Sequence, residues 1–106
     1  MALTFNTARP NALLNGLKQA VRDGEIVTWK LDEDGDFTHK TSSDQWTGRA
    51  WMRPTVAAGT SLGFSILHST NATNKSLISA VYYGRFLETM LAHFSDGFSS
   101  CQYKKD

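Results

Sequence analysis

The chain's 106 residues give room for one domain with one core, expected over residues 1–106. Its net charge of +1 argues against a dedicated nucleic-acid binder, which carries a clear basic excess. A single cysteine, Cys101, rules out an intramolecular disulfide and makes a reducing cytoplasm the expected location.

Residues 1–10 lack a charged start followed by an apolar run, so no signal peptide is expected. Residues 10–22 predict a helix. Pro10 suits the first helical position, Thr7 can close the turn before it, and Gly24 stops it. Leu13, Leu14, Leu17, Ala20 and Val21 form its apolar stripe. Residues 25–31 alternate as a half-buried strand, with Val27, Trp29 and Leu31 inward. The acidic turn at 32–36 carries an Asp34-Gly35 hairpin signal, and 37–40 is the returning strand. A polar loop over 41–45 leads into a strand at 45–53 that Pro54 closes. Residues 62–68 read as an inner strand, and 98–103 as a short final edge strand.

Residues 74–95 carry the strongest pattern, a long amphipathic helix with Asn74 or Thr73 as cap and Gly97 near its end. On a helical projection Tyr83, Phe86, Leu87, Met90, Leu91 and Phe94 fall on one arc, widened by Leu77, Ala80, Val81 and Gly84. Ile78 and Tyr82 fall on the polar side. An arc this wide exceeds what one sheet covers, so Ile78, Tyr82 and Phe86 are expected to contact a protein partner. On that view Tyr82→Asp weakens association and leaves the monomer folded, whereas Leu87→Asp unfolds it. The predicted fold is α+β: an antiparallel sheet of three to five strands, with the N-terminal and the long C-terminal helix packed on one face. No segment between 54 and 74 is apolar enough to span a membrane.

Several chemistries have partial signatures. Residues 59–63 match G-x-S-x-G, but a nucleophile elbow needs a helix after it, and a strand is expected there. The acids Asp32, Glu33, Asp34 and Asp36 have the wrong spacing for an EF-hand, with Gly35 at position four and Ser43 at twelve. His39, His68, His93 and Cys101 show no metal-ligand spacing. No catalytic residue, metal or cofactor is therefore expected. Arg85 and Glu88, three apart on the long helix, suit a surface pair, or a register-setting pair if an interface buries them.

The segment 48–54 is more distinctive. If Ala50 and Met52 face the core, Arg49, Trp51 and Arg53 share the opposite face as a platform for a phosphate, carboxylate or stacked base. If Trp51 is core instead, the arginines reach out to the acidic turn. Two functions compete. The first is a non-catalytic cytoplasmic interaction module that binds another protein or itself as a homodimer. The alternative is a small-ligand, nucleotide or anion-binding protein, a small enzyme included, that uses Arg49, Trp51, Arg53 and His39. Neither a membrane nor a nucleic acid is an expected partner.

Overall fold

The structure, a computed structural model, describes residues 3–40, 46–57 and 59–105. The chain runs β1 (Leu3–Asn6), α1 (Pro10–Arg22), β2 (Trp29–Leu31), β3 (Phe37–His39), β4 (Ala50–Ala57), β5 (Ser61–His68), α2 (Lys75–Phe94), a 3-10 turn (Ser95–Gly97) and β6 (Ser100–Tyr103). This is an α+β fold, with more strands than the sequence suggests. The six strands form one antiparallel sheet in the order β2-β3-β4-β5-β1-β6. β2 to β5 form a meander. The four-residue β1 inserts between β5 and β6, pairing Leu3 with Phe64 on one side and with Tyr103 on the other.

Alternation sorts the sheet into two faces. Leu3, Phe5, Trp29, Phe37, Ala50, Met52, Leu62 and Phe64 point inward and are buried in one cluster with Leu13, Leu17 and Ala20 of α1 and with Ile78, Tyr82, Phe86 and Met90 of α2. Both helices therefore cover the same face. Their opposite neighbours, Thr4, Trp51, Arg53, Thr55, Ser65 and Leu67, are half-buried or exposed. An antiparallel sheet tolerates this one-sided covering.

α1 has the predicted bounds, with Pro10 at its first position and Thr7 Oγ1 accepting the Arg9 N–H at 3.2 Å just before it. Gly24, with φ of 77°, ends it in the left-handed conformation while the Glu25 N–H returns to the Ala20 carbonyl. Three strand expectations shift. β2 begins only at Trp29; Ile26 turns inward ahead of it, leaving Val27 69% exposed. β4 starts after Gly48, which adopts a φ of 70°, and runs through Pro54 to Ala57. Pro54 is tolerated because β3 pairs with β4 only at Phe37–Met52, so beyond that point β4 has a free edge. The predicted loop at 41–45 and the start of that strand at Gln45 lie outside the described residues.

The buried face of α2 also differs from the expected arc. Ile78 is 2% exposed and Tyr82 and Phe86 are fully buried, whereas Leu77 and Leu91 are 48% and 53% exposed. The row expected to meet a partner is thus the line that meets the sheet, and it offers no outside surface. The physical reason is polar as much as apolar. The Tyr82 hydroxyl donates to the Trp46 carbonyl, and the Trp29 indole N–H donates to Thr89 Oγ1 at 2.9 Å. These bonds let a tyrosine and a threonine occupy the core side of the helix.

Candidate functional site

Residues 59–63 form the turn into β5 and not an elbow: Ser61 opens that strand opposite Ala57. In the acidic turn, the Asp32 carboxylate accepts the N–H groups of Asp34 and Asp36 at 2.9 Å each. Carboxylate oxygens of Asp32, Asp34 and Asp36 lie within 4.8 Å of one another. Asp36 is buried and engages Arg53 through two bonds, Nε to Oδ1 at 3.1 Å and Nη2 to Oδ2 at 2.8 Å. Those bonds and the charge of Asp36 raise the Arg53 pKa further.

Ala50 and Met52 face the core, so Trp51 and Arg53 stand on the outer face. Arg49 is exposed just before β4. His39 does not join them. It is 2% exposed on the inner face, edge-on to Trp29 at 5.1 Å between ring centroids and beside Arg85 of α2. Burial first, and then the Arg85 charge, lower its pKa. The sheet itself thus separates His39 from the Arg-Trp-Arg segment, because the pairing of Phe37 with Met52 turns the odd positions of β3 and the even positions of β4 to the same face. Cys101 is half-buried, and burial raises its thiol pKa, which makes it a poor nucleophile.

A different set of residues converges. β1 covers β5 only as far as Phe64 among the described residues, and the C-terminal half of β5 continues past it. Between that half, the start of α2 and the end of β6 lies a cleft of about 770 Å³. His68 ends β5 on the inner face, and its Nε2 lies 2.9 Å from Ser79 Oγ, one turn into α2. Tyr83 and Tyr103 stand with ring centroids 5.3 Å apart at 59°, and with Ile66 and Ala80 they supply the apolar wall. Lys75 and Lys105 line the cleft, as does Ser76. No family model, curated protein or solved structure matches the chain.

The cleft's electrostatics are one-sided. Among the described residues no carboxylate lines it, while two ammonium groups do. The N-terminus of α2 adds to this: Asn74 sits at φ of 55° and makes no side-chain cap, so the first-turn N–H groups keep their partial positive charge. Ser79 Oγ and His68 Nε2 form a hydrogen-bonded pair in the cleft wall, one group donating and the other accepting. Sequence reasoning missed this site because His68, Ser79 and Tyr103 sit on three elements with no shared spacing. Only strand alternation, which turns Ile66 and His68 to one face, hints at it.

Proposed function

We propose that the chain binds a small anionic ligand with a ring or other flat apolar body, held in the cleft of His68, Ser79, Lys75 and Lys105. The observation that supports this reading is the pairing of two lysines and a Ser–His hydrogen bond with a tyrosine wall, in a cleft lined by no described acid. The ammonium groups meet a phosphate or carboxylate, the Ser79–His68 pair orients it, and the Tyr83 and Tyr103 rings cover the ligand body. Isothermal titration with phenyl phosphate and benzoate, and with benzyl alcohol as the uncharged comparison, tests the reading. The two anions should bind saturably, more weakly as salt is raised, and the alcohol should not. Lys75→Glu with Lys105→Glu should weaken binding at least tenfold, about 1.4 kcal/mol. Equal binding of the alcohol, or unchanged affinity in the charge-reversed protein, overturns it.

A second reading keeps the interaction module but moves it to the outer face of the sheet. Trp51 stands directly across from the exposed Leu67 on a face that neither helix covers. Face-to-face pairing of two copies would bury these side chains. The sedimentation coefficient should then rise with concentration, and Trp51→Glu should suppress the rise. A strict monomer at the highest attainable concentration ends this reading. No helix among the described residues is long and apolar enough to cross a membrane.

A further inference from the structure

The flank of α2 away from the lysine cleft carries a second, smaller pocket of about 300 Å³, where α2 overhangs β2 and β3. Arg85 and Glu88 line it, three residues apart on the helix, a spacing at which opposite charges ordinarily join. Here they do not. Arg85 turns to His39 instead, with Nη1 3.4 Å from Nε2. On the pocket's other wall Thr28 is exposed, whereas Trp29 and Thr89 are already paired. Thr89 Oγ1 accepts the Trp29 N–H at 2.9 Å and donates to the Arg85 carbonyl at 3.0 Å, so both groups are already committed.

His39 explains why the charges stay apart. A guanidinium only donates, so Nε2 must accept and the ring proton sits on Nδ1. Nδ1 is buried with no hydrogen-bond partner, an arrangement that costs stability. The neutral imidazole holds the guanidinium on the pocket wall and away from Glu88. We propose that this pocket binds a small zwitterion of the α-amino-acid class, its carboxylate on Arg85 and its ammonium on Glu88. The two charges of such a ligand sit on one carbon and suit side chains rooted about 5–6 Å apart on neighbouring turns. A guanidinium takes a carboxylate through two parallel bonds, and Glu88 takes the ammonium protons. The small volume excludes nucleotides and long peptides. His39 is a positioning residue: it touches Arg85, not the ligand.

L-alanine, with propionate and ethylammonium as its two halves, is the probe for calorimetry and for amide chemical-shift titration. L-alanine should bind saturably, and each half at least tenfold more weakly. Arg85→Gln and Glu88→Gln should each weaken L-alanine at least tenfold. Glu88→Gln should not move the thermal melt, because that side chain is exposed. Arg85→Gln should show only the small drop that follows from losing its contact to buried His39. His39→Phe should also weaken binding, because the freed guanidinium can then fold onto Glu88, while His39→Gln, which keeps an acceptor, should restore it. Lys75→Glu with Lys105→Glu should leave L-alanine binding intact, which separates this pocket from the anion cleft. Absence of saturable binding, propionate binding as well as L-alanine, or unchanged affinity in Glu88→Gln overturns the assignment.

Discussion

Tyr82→Asp should abolish the cooperative unfolding transition of this domain. Tyr82 is fully buried, its ring lies 5.6 Å from Trp29 and 6.1 Å from His39, and its hydroxyl serves the Trp46 carbonyl and meets Thr38 Oγ1 at 3.2 Å. Replacing a buried aromatic by a small side chain costs about 3–5 kcal/mol. Leaving the Trp46 carbonyl without its donor adds about 1–3 kcal/mol. A carboxylate in that space must then either ionise without a partner or take up a proton at further cost. The total reaches the whole stability of a typical domain, about 5–15 kcal/mol. Circular dichroism melts test this against Tyr82→Phe, which keeps the ring and should lose only the hydroxyl's share, about 1–3 kcal/mol. Leu87→Asp, on the half-buried flank, should still melt cooperatively. A cooperative melt of Tyr82→Asp near the wild-type temperature would show that the side chain turns outward in solution.

That ordering reverses the one the helical projection suggests, and the reversal marks where sequence reasoning stops. Helix limits were legible because Pro10, Gly24 and the apolar period are local signals; α1 matches its expected bounds and α2 is shorter by one residue at each end. The facing of α2 was not legible. A projection weights Leu77 and Leu91 as core and Thr89 and Tyr82 as surface, yet β2 supplies Trp29, and the turn before β4 supplies Trp46, as hydrogen-bond partners that no local window contains. β1 was missed for a similar reason: four residues make no period, and its strand character comes from having β5 and β6 on either side.

The two candidate pockets follow from the same facing. With Ile78, Tyr82, Phe86 and Met90 seated on the sheet, Ser79 and Tyr83 fall to one side of the helix and Arg85 and Glu88 to the other. A helix turned to bury Leu87 and Leu91 would have carried both groups away from His68 and His39. Residues 49–53 suggest chemistry along one strand because Arg49, Trp51 and Arg53 alternate within it. The structure instead gathers its polar groups where α2 overhangs two different strands, an arrangement that depends on topology.

Phe86→Ala should cost about 3–5 kcal/mol, and we expect the upper part of that range. Phe86 is fully buried, and its ring centroid lies 4.4 Å from Phe64, 5.1 Å from Trp29, 6.1 Å from Phe37 and 6.4 Å from Phe5. One side chain thereby ties α2 to β1, β2, β3 and β5. Aromatic pairs contribute about 0.5–1.5 kcal/mol each beyond their buried area, and four rings cannot all close on the space that one leaves. In a domain of this length each kcal/mol lowers the melting temperature by roughly 4–8 °C. Leu91→Ala is the comparison: that side chain is half-exposed, and its loss should stay within about 0.5 kcal/mol. The cavity in Phe86→Ala would be lined by aromatic carbon and should stay dry, so benzene should raise the melting temperature of that variant and leave the wild type unmoved. Equal losses for the two variants in urea titrations would mean that α2 does not sit on the sheet along this row. Both pockets would then lose their common wall.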